Sequence, residues 1–290
     1  MNQEEKYIHL EKRIKRLNNI SLSLSREEDI NVIFELIMEE AKYITNADGR
    51  TLYMKNRDEK SMDFEILHND SLNMIKGGTS EKKINLPNIS LYDENGKPNM
   101  NNVNTYVVHT GKTLNIVDAY EEEGFDFSGT ISMDKKIGYH SQSFLNVPLK
   151  NHENDTIGVM QLINSKNTKT GETQPFTDEM QELVESLASQ AAVALTNKNL
   201  VKELKNLFES FIKLIATAID KKSPYTGGHC ERVPEIAMLL AEAVEKTNDG
   251  KYKDFSMTED ERYELFIAAW LHDCGKVATP PHVVDKGMKL

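Results

Sequence analysis

With 290 residues and 39% hydrophobic side chains, the chain is long enough for about two globular units with ordinary cores. Its net charge of -11, with acids and bases interspersed, leaves no basic face for a phosphate backbone, so nucleic acid is excluded as a partner. No apolar leader and no run of about 18 apolar residues is present, which points away from a membrane and towards the cytoplasm. The only cysteines, Cys230 and Cys274, are too far apart for a CxxC metal or redox motif.

Tyr7, Ile8, Leu10, Ile14, Leu17 and Ile20 recur at helical spacing over residues 3–24. Ile30, Ile33, Phe34, Leu36, Ile37, Ala41 and Ile44 predict a second helix, ending at the turn signal Asn46-Ala-Asp-Gly49. Residues 50–55, 62–68, 114–118, 143–149 and 156–163 are short β-branched or alternating runs and predict five strands. The polar connector 150–155 predicts an antiparallel hairpin between the last two. Helices before, within and after the strands make this an α+β unit.

From Thr177 to about Lys221 no Gly or Pro interrupts a helical pattern. Val193, Asn197, Leu200, Leu204, Leu207, Phe211, Leu214 and Ala218 step alternately by four and three, the seam of a two-stranded coiled coil with Asn197 setting register. A single helix packed on its own domain would use the same stripe. Ser223-Pro224 predicts a break, and Tyr225 to His229 a flexible entry to the next helix. Val233, Ile236, Ala237, Leu240 and Val244 predict that helix's buried stripe, with His229 on it. After a loop at 248–251, Thr258 and Glu261 form a capping box. The helix it opens carries Leu265, Ala268, Ala269 and His272 on one face, so His272 is expected to point inward.

His229 and His272 thus fall on apolar stripes, and Asp273 lies about 100° round the helix from His272, close enough to share a cation. Imidazole with carboxylate suits Mn, Fe, Ni or Zn, and a carboxylate shared by two such ions would hold a hydroxide activated for phosphodiester cleavage. Lys276 adds an ammonium for a non-bridging phosphate oxygen, and Gly275 allows close approach. Cys230 and Cys274 each follow a ligand position and are expected to be small buried fillers, not redox sensors.

Ser223-Pro-Tyr-Thr-Gly-Gly-His-Cys-Glu-Arg-Val233 and Leu271-His-Asp-Cys-Gly-Lys-Val277 resemble the first two ligand motifs of the HD superfamily of metal-dependent phosphohydrolases, and particularly its HD-GYP branch. The resemblance implies an all-helical domain holding two divalent ions, iron or manganese, and hydrolysing cyclic-di-GMP or a related cyclic dinucleotide. It implies His229, His272 and Asp273 as metal ligands, Asp273 as the bridging and catalytic carboxylate, and Lys276 as the catalytic phosphate contact. Tyr225 stands where some relatives carry a further carboxylate, which favours two ions over three. The family's later histidines, last aspartate and Gly-Tyr-Pro loop would lie beyond Leu290, so the domain is expected to be truncated and weak or inactive alone. His282 and Asp285 are expected at the surface.

Ile137-Gly-Tyr-His-Ser-Gln-Ser-Phe-Leu-Asn-Val-Pro-Leu149, then Thr156-Ile-Gly-Val-Met-Gln-Leu-Ile-Asn-Ser165 and Phe176-Thr-Asp-Glu-Met180, follow a strand, strand, helix order that resembles the GAF family of small-ligand sensors. Cyclic-nucleotide-binding members carry Asn-Lys where this chain has Asn164-Ser165, and Asp178-Glu179 falls too near Phe176, so that ligand is not expected. Both cysteines lie outside the domain, which excludes a covalent bilin. His68, His109 and His140 are isolated and expected to be structural rather than haem ligands. A pocket for an unassigned small molecule is expected between sheet and covering helices, lined by Tyr139, Phe144, Asn146 and Gln161.

The expected order is an N-terminal amphipathic helix (1–20), an α+β GAF domain with an antiparallel sheet (21–196), a coiled-coil helix (197–221) and a partial all-α HD domain (222–290). The expected function is a parallel homodimer in which the sensor regulates an HD-GYP-like phosphodiesterase. The alternative is a catalytically inactive dimeric sensor with a remnant HD domain.

Overall fold

The computed structural model describes residues 16, 19–222 and 228–280. The expectations for Tyr225, His282, Asp285, the Ser223-Pro224 break and most of the N-terminal helix lie outside these residues. The chain forms two units, Met1–Asn199 and Leu200–Leu290.

In the first unit, helix α1 (Ile30–Thr45) starts at Asp29, whose side chain accepts from the Asn31 N–H. It ends where Asn46 turns left-handed (φ 50°) and returns its N–H to the Lys42 carbonyl. Only Asn46 of the expected four-residue turn is a turn, and strand β1 (Ala47–Lys55) begins at once. Strands β2 (Ser61–Asn69), β3 (Met74–Gly77) and β4 (Ile89–Ser90) follow, then helix α2 (Val103–Thr110), β5 (Leu114–Ile116) and helix α3 (Ser128–Ile137). Strands β6 (Phe144–Lys150), β7 (Thr156–Lys166) and β8 (Thr173–Gln174) complete the sheet, and helix α4 (Asp178–Lys222) leaves it. The five expected strands are present. β3, β4 and β8 are two to four residues long, too short to show a period in the sequence.

The sheet is antiparallel in the order β3-β2-β1-β7-β6-β5, with β4 on β2 and β8 on β7. Period-two alternation sends Leu52, Ile66, Leu145, Val147, Met160 and Leu162 to one face. There they meet Ile33, Phe34, Ile37 and Ala41 of α1 and Val184, Leu187, Ala188, Ala191 and Leu195 of α4. The other face carries two smaller clusters, Tyr53 and Val159 with Val107 of α2, and Phe144 and Ile116 with Val103 and Phe127. Sequence hydrophobicity is high in β6 and β7 because both of their faces are covered.

The second unit contains the C-terminal part of α4, helix α5 (His229–Glu245) and helix α6 (Glu259–Leu271). The capping box of Thr258 and Glu261 opens α6 as expected. Tyr263 and Phe266 lie under the ammonium groups of Lys205 and Lys213 of α4, at 3.9 and 5.9 Å from the ring centres. The expected stripe of α5 is wrong in phase. Ile236 and Leu240 are 54% and 62% exposed, while Cys230, Pro234 and Ala241 are buried. Small side chains let the packed helices approach, and the larger apolar residues are left outside. Among the described residues no helix is long and apolar enough to cross a membrane.

Gly158 of β7 sits where a Cβ would lie 2.4 Å from the Tyr53 carbonyl oxygen and 2.7 Å from Met54 Sδ. The nearer neighbour is backbone at the sheet centre and cannot move cheaply. Gly158→Ala is expected to cost about 2 kcal/mol and lower the melting temperature of the first unit by about 4–8 °C. A circular-dichroism melt unchanged from wild type would contradict this.

Candidate metal centre and ligand cavity

His229 is the first residue of α5, and His272 and Asp273 follow directly after α6. The His-Asp pair therefore ends a helix instead of lying within its buried face. His272 is not directed into a core, and Ala268 beside it is exposed. Asp273 has bridge-region angles (φ -102°, ψ 7°) and leads into a 3-10 turn, Cys274–Val277, which brings Lys276 back over the carboxylate. Nothing packs within 4 Å of a Cβ at Gly275. Cys230 is buried as expected, but Cys274 is exposed, because the chain has left the helix by then.

These residues bring three donors within 4.8 Å of one another, each able to offer one ligand atom. His229 Nε2 lies 3.0 Å from His272 Nε2 and 3.6 Å from Asp273 Oδ2, and His272 Nε2 lies 3.3 Å from the same oxygen. His272 Nδ1 is 2.7 Å from the Ala269 carbonyl. A carbonyl only accepts, so the proton sits on Nδ1 and the Nε2 lone pair faces the other donors, the second-shell arrangement of a metal-binding imidazole. Asp273 is the most enclosed of the three side chains at 17% exposure, against 29% for His272 and 40% for His229. Burial pushes its carboxyl up, but the hydrogen bond from Lys276, then the charges of His272, Lys276 and His229, hold it below the usual carboxylate range. Donor type, convergence and tautomer all fit a divalent cation of the Mn, Fe or Zn kind.

The first unit holds a cavity of about 520 Å³ between β1, β2 and α3. Of the four residues expected to line it, only Tyr139 does. Phe144 is packed against Phe127, with ring centres 5.4 Å apart. Asn146 and Gln161 are sealed beneath α2, where both donate to Asn104 Oδ1, at 2.6 and 3.3 Å, and Gln161 Oε1 accepts from the Tyr53 hydroxyl. The strand phase was right for all three, but α2 covers that part of the face.

Several polar groups of the cavity wall are already engaged, whereas both ring nitrogens of His68 and Arg50 Nε are buried there without a hydrogen-bond partner. Tyr139 donates its hydroxyl to Asp48 Oδ2 at 2.7 Å and accepts from Asn164 Nδ2 at 3.0 Å. Burial, and then the Asp48 carboxylate, raise its phenol above the usual range. Asp134 accepts from the Ser141 N–H and hydroxyl and from the Tyr120 hydroxyl. Arg50 lines the cavity, yet its terminal nitrogens pair with Glu39 at 2.5 Å and Asp70 at 3.0 Å. Leu67, Met74, Met133, Ile137 and Ile163 supply the apolar wall.

The model of the GAF domain family matches residues 29–195. The dual 3',5'-cyclic-AMP and -GMP phosphodiesterase 11A of Takifugu rubripes is 32% identical over 95 residues, which cover 33% of this chain and 10% of that protein. The 3'3'-cGAMP-specific phosphodiesterase 3 of Vibrio cholerae is 34% identical over 88 residues, covering 29% of this chain and 17% of that protein. The chain therefore spans a small part of the length of the curated relatives it matches. Among solved structures, the GAF domain of a phosphoenolpyruvate-protein phosphotransferase from Coxiella burnetii aligns with a TM-score of 0.48 at 12% identity, covering 66% of this chain and 96% of that one.

Lys276 Nζ is 2.5 Å from Asp273 Oδ2, the oxygen nearest both imidazoles, so the ammonium competes with any cation for that atom. Lys276→Met is expected to strengthen Mn²⁺ binding by about threefold to tenfold, in keeping with a like charge removed at close range. Titration followed by electron paramagnetic resonance reads it; weaker binding in the variant would contradict the competition.

Proposed function

Because the chain belongs to the GAF domain family, we propose that its first unit is a small-ligand sensor whose state governs a metal-dependent phosphodiesterase centre built on His229, His272 and Asp273. The observation that carries this reading is the convergence on one point of three donors, one opening α5 and two directly following α6. The HD-GYP resemblance of the two segments that bear them, and the cyclic-nucleotide phosphodiesterase names of the relatives, support the reaction class. The substrate is a cyclic dinucleotide such as cyclic-di-GMP or 3'3'-cGAMP, opened by hydrolysis of a 3'–5' phosphodiester.

A pair of iron or manganese ions supplies a water activated near neutral pH and a counter-charge for phosphate. His229 and His272 would hold such ions through Nε2 and Asp273 through its carboxylate, while the Ala269 carbonyl keeps the His272 ring in the ligating tautomer. Lys276 turns from Asp273 to a non-bridging phosphate oxygen when substrate enters. Ligands beyond these three come from outside the described residues. Elemental analysis of chain purified without oxygen or chelator is expected to find iron or manganese, lost in His272→Ala. An absence of metal in both samples would sink the catalytic reading and leave a sensor with a remnant output unit.

The sensor ligand is a compact, mainly apolar molecule without a phosphate. Tyr139 and Asp134 are committed to protein partners and the terminal nitrogens of Arg50 are held by two carboxylates, which leaves the unpartnered ring nitrogens of His68 as the polar groups a ligand would meet. The neutral dye N-phenyl-1-naphthylamine is expected to fluoresce on binding, and Met133→Trp, which fills the cavity, to abolish the signal. Competition by cyclic AMP or cyclic GMP would overturn this ligand class.

The chain acts as a parallel homodimer through α4. Leu200, Leu204, Leu207, Phe211 and Leu214, all on the heptad seam, are 50–68% exposed, an apolar stripe that a second copy in register would cover. Sedimentation velocity is expected to give a dimer that Leu207→Asp with Phe211→Asp converts to monomer; a wild-type chain that stays monomeric at every concentration would refute it.

A further inference from the structure

Asp220 occupies the last turn of α4, where a carboxylate faces the negative end of its own helix and is unfavourable. It is nonetheless buried, at 7% exposure, on the face that also buries Ile212, Ala216 and Ile219. Its Oδ2 accepts a hydrogen bond of 3.1 Å from the backbone N–H of Cys230. Cys230 is the second residue of α5, whose N-cap, Gly228, is left-handed and has no side chain with which to cap. Asp220 therefore gives α5 from outside what a serine or aspartate N-cap normally gives from within, and its charge faces the positive end of that helix. The turn held in this way begins with His229.

A ligand in the first helical turn is only as well placed as the turn, because the N–H groups there have no partner inside the helix. We propose that Asp220 is a positioning residue for the metal centre, fixing the start of α5 and with it the place of His229 Nε2 opposite His272 and Asp273. This role rests on the metal reading above. Cys230 fits as a silent spacer between the two functions. Its side chain is buried, and the bond to Asp220 is made by its backbone N–H.

The test is Mn²⁺ affinity of the whole chain, followed by electron paramagnetic resonance, with thermal melts alongside. Asp220→Ala is expected to weaken binding about tenfold or more, the usual effect of losing an outer-shell support. Asp220→Asn, which keeps an acceptor oxygen at the same reach, is expected to recover most of the affinity. Ile219→Ala removes packing from the same turn and is expected to lower the melting temperature without a comparable loss of metal. If Asp220→Ala does not fold, Asp220→Ser, whose hydroxyl is too short to reach Cys230, takes its place with the same expectation. Binding that is lost in His272→Ala but kept within twofold in Asp220→Ala overturns the positioning role alone, as does an equal loss in Ile219→Ala. No Mn²⁺ binding by wild type overturns the metal reading and this role with it.

Discussion

The first unit depends on how closely α4 lies against the sheet. Ala188, Ala191 and Ala192 bring the helix in, and Val184, Leu187 and Leu195 fill the space on either side, each burial contributing about 1.5–3 kcal/mol. In the second unit the seam from Leu200 to Leu214 is exposed, and Ile212, Ala216 and Ile219 form a different, buried stripe. One helix thus carries core packing, an exposed apolar seam and the cap of another helix on separate faces.

Many polar groups buried in the first unit are tied to each other, with the ring nitrogens of His68 in the cavity wall a clear exception. Asn104 gathers Asn146 and Gln161, while Asn164 accepts from the N–H groups of Gln142 and Ser143 and supports Tyr139. Such closed networks are costly to disturb, since one partner removed leaves another buried and unsatisfied. They fix the shape of the cavity and leave selectivity to its apolar wall and to His68. The second unit is organised in the opposite way, with its imidazoles and carboxylate partly exposed and pointed at one another.

What the sequence revealed, and what it hid, follows from the range of the forces involved. Helices and strands set by local periodicity were legible, among them α1, the hairpin of β6 and β7, and the whole of α4. The grouping of His229, His272 and Asp273 was legible because they sit in short, compositionally unusual motifs. The cavity was not. Alternation along β6 and β7 puts Phe144, Asn146 and Gln161 on the correct face, but only tertiary packing decides that α2 covers them and α3 stands off. The stripe of α5 was misread because hydropathy ranks Ile236 and Leu240 above Cys230, Pro234 and Ala241, whereas close helix packing favours small residues. The one local clue to Asp220 was an acid at the wrong end of a helix, and its reason lies ten residues away across a chain break in periodicity.

The cap that α4 lends to α5 has a consequence for how such proteins can be recombined. A splice that exchanges the sensor for another at the visible boundary, near residue 222, would carry Asp220 away with the old sensor and leave α5 open at its ligand-bearing end. The tolerant place lies further upstream, in the solvent-facing stretch before Ile212, and there the inserted length must be a multiple of seven to preserve the seam. Evolutionary exchange of the first unit should therefore leave its joints inside the helix, with the last three turns of α4 inherited together with the second unit.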